Sequence, residues 1–374
     1  MNAPMTYVST GVDYEVMDPF KRLCQQAAYP TTAWLERFGW RELETSRGES
    51  AYLIETGWEF PAYIAHVEEG LGTKNLVADA MYLLSRCEGR TYYDAIAQDT
   101  IAMIVNDMVT LGALPMSIAM HLAVGDGGWF DDERRSADLV RGWQEACLRA
   151  RVTWGGGETP TLKGCVVPRA VVLSGSAVGI VRQRRDLLSG DKIQDGDHIV
   201  LIESSGIHAN GLTLARKIAE KLSDGYLTRL PDGRTYGETL LDPTHLYSAL
   251  VEECLKVDIP LHYAVHITGH GWRKLMRAKQ NFRYVINNPP LVPDIFRFIQ
   301  EHGPVTDEEA YGNLNMGAGF ALYVPEAYVE QVCEIALMQR LRPYDGGYIE
   351  AATERSVHIE PVGITFKADS LAVR

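Results

Sequence analysis

Apolar and polar positions alternate along this chain with two periods, and the changes of period mark out its elements. Over residues 99–111, Ile101, Ile104, Val105 and Met108 fall at i, i+3, i+4 and i+7, one face of a helix. Asp99 or Thr100 can cap its start, and Gly112 stands where it should stop. Helical patterning is also expected over 75–85, 132–150 and 212–222, the last with Leu212, Ala215, Ala219 and Leu222 on one side. Shorter helical pieces are expected over 19–28 and 32–38. Strand-like runs cover 50–54, 63–67, 116–124, 152–154, 171–181 and 198–203. The polar, basic stretch 182–190 reads as a linker, after which a hairpin-type turn, Gln194-Asp195-Gly196-Asp197, restarts the pattern. Strands and helices alternate in both halves. The fold class is therefore α/β (α+β), in two domains, 1–182 and 183–374.

Length agrees with that division, since 374 residues at roughly 100–200 per domain make two domains the default. Charge narrows the partners. A net charge of -13 argues against nucleic acid or an anionic membrane surface, which need a basic face. It leaves room for a small phosphorylated ligand, held by local cations and helix N-termini. The 6 cysteines are scattered without a Cys-x-x-Cys pair, as in a reducing compartment, and carry no zinc signature. No secretory leader pattern and no apolar run near the ~20 residues of a membrane span is present, so a cytoplasmic protein is expected.

Candidate chemistry gathers in the turns. The stretch Glu68-Glu69-Gly70-Leu71-Gly72-Thr73-Lys74 combines two carboxylates, two glycines, a hydroxyl and a lysine. Read as a turn, it offers Mg²⁺ ligands and a phosphate contact, or it is a solvated acidic turn; it lacks the Walker A spacing. Asp99 and Asn106, seven apart, share a helix face with Asp107 beside them; they address one metal–nucleotide cluster or form a polar solvent face. Gly156-Gly157-Glu158-Thr159 puts a carboxylate on a glycine turn after a short strand. Ser204-Ser205-Gly206 with Asn210-Gly211 before a helix makes a small-residue anion loop, unless Asn210 simply caps that helix. His262, His266 and His270 are spaced i, i+4, i+8, but the glycines around His270 break a helix, so a zinc site is not expected. His266 is a general acid–base candidate or a satisfied structural histidine.

These pieces share an order. Gly70-Leu71-Gly72-Thr73-Lys74, Val105-Asn106-Asp107 with Gly112-Ala113 and Pro115, Gly156-Gly157-Glu158-Thr159, Ser204-Ser205-Gly206 with His208 and Asn210-Gly211, Pro243-Thr244 with Tyr247, His266-Ile267-Thr268-Gly269, and Asn315-Met316-Gly317 with Gly319 follow one another. Together they resemble the phosphoribosylformylglycinamidine cyclo-ligases, or AIR synthetases, from about Glu68 to Val324, and Thr10-Gly11-Val12-Asp13 resembles that family's opening. The resemblance implies a two-domain AIR synthetase-like fold whose N-terminal domain pairs with a second copy in a dimeric β-barrel-like core. It also implies ATP and Mg²⁺, and closure of an imidazole ring on formylglycinamidine ribonucleotide. Carried over, Glu69, Asp107 and Glu158 would be metal carboxylates, and Lys74, Asp107 and His266 the catalytic group. Glu69, Gly70, Gly72, Thr73, Asn106, Gly157, Ser205, Gly206, Asn210 and Gly211 would hold the nucleotide or another anionic group.

The chain departs from the family pattern in several places. Glu69 stands where the family has Asp, Met120 aligns with another family Asp, and His270 interrupts a glycine pair. The family's glycine-rich segment ahead of the acidic turn is replaced by residues 33–57, with Trp34, Arg37, Arg41 and Arg47. Two other readings therefore stand beside the cyclo-ligase: a small-molecule kinase resembling thiamine-monophosphate kinase, and a non-catalytic nucleotide-binding paralogue.

Overall fold

A computed structural model describes residues 29–57 and 61–371 throughout, together with Met5, Thr6, Ser9, Glu15, Asp18, Pro19, Arg22, Gln26 and Ala27. Thr10–Asp13 and most of the helical piece expected over 19–28 lie outside the described residues. Residues Tyr29–Phe38 form a 3-10 helix.

The first sheet has six strands: β1 (Arg41–Glu42), β2 (Tyr52–Glu55), β3 (Tyr63–Gly70), β4 (Leu114–Val124), β5 (Thr153–Glu158) and β6 (Val171–Val181), in the order β1-β2-β3-β6-β4-β5. Its helices are α1 (Lys74–Leu84), α2 (Tyr93–Val109) and α3 (Glu133–Ala150). Helix α2 packs on β3, β6 and β4, and α3 packs on α2. Ile101, Ile104 and Val105 are fully buried there, each stabilising the fold by about 1.5–3 kcal/mol. Gly142 of α3 lies so close to α2 that a Cβ would meet the Asp94 backbone at 2.4 Å. The other face of the sheet carries Val172 and Val178 of β6 and Met116 of β4 in exposed positions.

Two expected turns are strands. The acidic stretch stays extended through Gly70, because Glu68, Glu69 and Gly70 pair with Ser176, Gly175 and Ser174 of β6. The triple glycine is the edge strand β5, whose Gly157 pairs with Met120. Glycine is required there for close approach: a Cβ on Gly157 would meet the Met120 carbonyl oxygen at 2.2 Å. Asp99 does not cap a helix. Helix α2 begins earlier, at Tyr93, after Tyr92 in the left-handed region at φ 63°.

The expected linker is packed structure. Leu188 is buried and its N–H donates to the Leu111 carbonyl, while Arg184 Nη1 contacts Glu55 Oε1 at 2.5 Å. The second sheet has seven strands: β7 (Asp197–Glu203), β8 (Tyr263–His266), β9 (Phe282–Ile286), β10 (Ala318–Pro325), β11 (Pro343–Ala351), β12 (Ser356–Ile359) and β13 (Ile364–Lys367), in the order β13-β12-β9-β11-β7-β10-β8. Its pairings are antiparallel except β12 with β9. The central strands β7 and β10 are buried almost throughout, so their sequences read as continuous apolar runs. Helices α4 (Leu212–Ala219), α5 (Tyr236–Leu240), α6 (Ser248–Lys256), α7 (Asp294–His302), α8 (Asp307–Asn313) and α9 (Val329–Met338) complete this half. Val109 and Leu188 join one apolar cluster with Val200, Tyr247 and Phe320, so the core continues across the seam between the sheets.

Candidate active site

Helix α2 is buried on nearly all sides, so each of its polar side chains must find a protein partner. Asp99 and Asn106 do share a face, but that face meets the segment 242–247, not solvent or a ligand. Asp99 Oδ1 accepts from the Thr244 N–H (2.8 Å) and hydroxyl (2.5 Å). Asn106 Oδ1 accepts from the Tyr247 N–H (2.8 Å), and its Nδ2 donates to the His245 carbonyl (2.8 Å). Lys74, at the start of α1, is fully buried against Asp99 at 2.8 Å and donates to the Asp242 carbonyl at 2.8 Å. Its ammonium donates to Asp99 Oδ1 and to the Asp242 carbonyl, a cross-tie between domains.

Asp107, one residue further along α2, does something else. Its Oδ1 lies 2.6 Å from His266 Nδ1, at the end of β8. Burial disfavours both charges; the His266 hydrogen bond and the nearby Lys274 and Arg277 hold the Asp107 carboxyl below its ordinary range. Burial also pushes the His266 imidazole down, against the pull of Asp107. The arrangement that satisfies both directions is a neutral imidazole donating from Nδ1 to an ionised carboxylate. His266 Nε2 is then a lone-pair acceptor, buried and without a hydrogen-bond partner among the described residues. Tyr247 and Phe320 flank the ring, with centroids 6.4 and 6.3 Å away.

Glu69 ends β3 beside this pair. Burial, reinforced by the Asp107 charge, pushes its carboxyl up to about 7. Three groups without a signal in the sequence pattern complete the cluster. Lys274, from the 3-10 turn Gly271–Met276, contacts Thr268 Oγ1 and lies 3.4 Å from the His266 carbonyl. Burial pushes its ammonium down to about 8, opposed by Asp107, Glu69 and Glu49. Arg277 holds the segment that stands where the family's glycine-rich stretch would be: its Nη2 donates to the Gly48 carbonyl (2.6 Å), its Nη1 to Ser50 Oγ (2.7 Å), and its Nε lies 3.3 Å from Glu49. Tyr263 Oη donates to Glu49 Oε1 at 3.1 Å.

The two anion-loop candidates meet. Gly72, in the loop from β3 to α1, lies against the Ala209 carbonyl, with Gly70 and Thr73 on either side. Across from them, Ser205 Oγ donates to the Pro243 carbonyl (2.7 Å), and the Gly206 carbonyl accepts from Asn315 Nδ2 (2.9 Å). Gly211, at φ +85°, takes the N-cap position of α4, a conformation other residues adopt only with strain. Asn210 therefore does not cap that helix; its Nδ2 approaches Met103 Sδ at 3.9 Å. His208 is buried with Nδ1 unpartnered while its Nε2 accepts from the Ser205 N–H.

Glu158 is not brought to Glu69 and Asp107. It is exposed on the edge strand and pairs with His121, in the register row after the one holding Met120 and Gly157. Strand alternation sends neighbouring rows to opposite faces, and Glu69 belongs to the Gly175–Met120 row. Among the described residues no three His, Cys, Asp or Glu side chains are disposed to hold a metal. With Asp107 engaged by His266 and two side-chain cations close by, the seam carboxylates do not fit a divalent ion. The three spaced histidines likewise do not converge, since His262, His266 and His270 each face their own aspartate, Asp197, Asp107 and Asp18.

Two α/β domains with a carboxylate–imidazole pair on their seam define the class, and comparison with known proteins agrees. Residues 69–181 match the N-terminal domain and residues 194–360 the C-terminal domain of the AIR synthase related proteins, and the chain belongs to that family. It is 31% identical over 352 residues to the phosphoribosylformylglycinamidine cyclo-ligase of Methanococcus maripaludis (strain C6), covering 94% of this chain and 93% of that one. It is 32% identical over 362 residues to the enzyme of the same name from Carboxydothermus hydrogenoformans, covering 94% and 98%. Among solved structures, a HypE–HypF complex matches with TM-score 0.58 at 15% identity over 86% of this chain and 93% of that chain. AaThiL complexed with AMPPCP and TMP matches with TM-score 0.55 at 12% identity over 86% and 91%. At these identities the structural matches establish the fold. No helix among the described residues is long and apolar enough to cross a membrane.

Proposed function

We propose that the chain is an ATP-dependent cyclo-ligase acting on formylglycinamidine ribonucleotide. The observation that carries this reading is the Asp107–His266 bond across the seam, which leaves His266 Nε2 as an oriented acceptor. The substrate's formyl oxygen attacks the γ-phosphorus of ATP, and ADP leaves. Phosphorylation turns a poor leaving group into a good one. An internal nitrogen then adds to the activated carbon, gives its proton to His266 Nε2, and the ring closes with loss of phosphate. Asp107 holds the imidazole and balances its charge while it carries the proton. Reaching Nε2 requires the walls of Tyr247 and Phe320 to part. The backbone of Gly70–Thr73 and Ser205–Gly211, at the starts of α1 and α4, is suited to phosphate groups. ATP enters as its magnesium complex. The reading also takes the bare face of the first sheet as the contact with a second copy, and the cytosol as the place of work. Names of relatives support the reaction, and one fold neighbour was solved in complex with ATP.

The test is product analysis with purified protein. Equal amounts of ADP, free phosphate and aminoimidazole ribonucleotide are expected, all dependent on formylglycinamidine ribonucleotide. Phosphate retained on an acceptor would instead make the chain a kinase. Failure to turn over the ribonucleotide would remove the proposal.

A further inference from the structure

Among the described residues the seam brings together the carboxylates Glu49, Glu69 and Asp107 and the cations Lys274 and Arg277, with His266 and the His270–Asp18 pair nearby. The two cations are employed differently. Arg277 is engaged with the segment beyond Ser46, through the Gly48 carbonyl, Ser50 and Glu49. Among the described residues Lys274 is anchored only by neutral oxygens, the Thr268 hydroxyl and, at 3.4 Å, the His266 carbonyl. Those anchors fix its ammonium in place without cancelling its charge. What balances that charge is the surrounding field of Asp107, Glu69 and Glu49. In position and charge, this is the role a bound metal would play for the same carboxylates.

A divalent ion asks for different things. Magnesium needs near-octahedral oxygen ligation, usually one or two carboxylates with water and phosphate oxygens. Asp107 Oδ1 is already held at 2.6 Å by His266 Nδ1. Glu158, the third carboxylate the sequence offered, lies in a register row on the opposite face of the sheet. Placing a second cation beside Lys274 in a poorly solvated seam sets like charges against each other. We infer that Lys274 is the resident cation of the Glu69–Asp107 site, so that this carboxylate pair works with a side-chain ammonium and takes no divalent metal. Lys274 is a positioning residue: anchored beside the His266 carbonyl, it biases the charge of Asp107, and through it that of His266. This deepens the cyclo-ligase reading and rests on it for the meaning of the site, though not for the metal chemistry itself.

The experiment is a Mn²⁺ titration followed by electron paramagnetic resonance, without nucleotide or substrate, so that its failure is separable from failure of turnover. Wild-type protein is expected to leave the free Mn²⁺ signal unchanged. Lys274→Gln and Lys274→Ala should bind Mn²⁺ at least tenfold more tightly than wild type, and adding Asp107→Asn should abolish the gain. Wild-type binding that Asp107→Asn removes would overturn the inference. So would folded Lys274 variants that bind no more Mn²⁺ than wild type. If neither variant folds, Mn²⁺ broadening of the His266 imidazole resonance in wild-type protein decides: its absence is expected, and its presence overturns the inference.

Discussion

Lys74 and Lys274 lie on the same domain seam and face opposite surroundings. Lys74 is fully enclosed, with the Asp99 carboxylate at 2.8 Å and the Asp242 carbonyl at 2.8 Å. Lys274 is half-buried, among the described residues hydrogen-bonds only to neutral oxygens, and shares a field with carboxylates that have other attachments. The first arrangement is a closed tie, in which the ammonium charge meets a carboxylate directly and both groups are shut off from solvent. The second keeps charges close without pairing them off, which is how titration can be tuned. A lysine in a family motif is thus not by itself a ligand contact. What its nitrogen touches decides, and by that measure Lys74 joins the domains while Lys274 lies with Thr268, His266 and the Asp107–Glu69 carboxylates.

The largest effect separates the two lysines by stability. Lys74→Met strands the buried Asp99 charge and should cost about 3–5 kcal/mol in urea denaturation. Lys274→Gln should cost about 1 kcal/mol or less, because no close ion pair is broken. Similar losses for both would erase the distinction.

A smaller effect reports the burial of Glu69 beside Asp107 and Lys274. Its carboxyl is raised from 4.5 to about 7, so the folded state holds the proton more tightly than the unfolded chain. Between those values wild-type stability must fall as pH rises. Glu69→Gln should flatten that slope and raise stability at pH 8 by on the order of 2 kcal/mol. Parallel pH–stability curves for variant and wild type would show that burial does not raise the Glu69 carboxyl.

Much of the fold was legible because apolar periodicity reports burial directly. The runs at 171–181 and 116–124 became the paired strands β6 and β4, and the 99–111 pattern became most of α2. Misreadings came where local chemistry and tertiary pairing disagree. Glu68, Glu69 and Gly70 look like a turn, yet β6 pairs with them and keeps them extended. Gly155, Gly156 and Gly157 look like a loop, but they allow an edge strand to lie close against β4. Helix α2 starts without a capping signal, so Asp99 was the best visible cap and proved to be an interior ion-pair partner.

Of the site, His266 and Asp107 were each legible as candidates and as motif positions; their contact was not. Residues 159 apart in sequence meet only through the docking of two sheets, which periodicity does not encode. Glu49, Lys274 and Arg277 were missed for the same reason. Glu158 was included because motif order carries no information about which face of a strand a side chain takes.

The most direct measurement is turnover of formylglycinamidine ribonucleotide by His266→Asn. The asparagine amide can replace the Nδ1 donor to Asp107 while removing Nε2, so the fold and the seam should survive. An unfolding midpoint close to that of wild type and a kcat at least about 100-fold lower are expected. A variant equally stable and fully active would contradict that expectation, and would return His266 to the role of a satisfied core histidine.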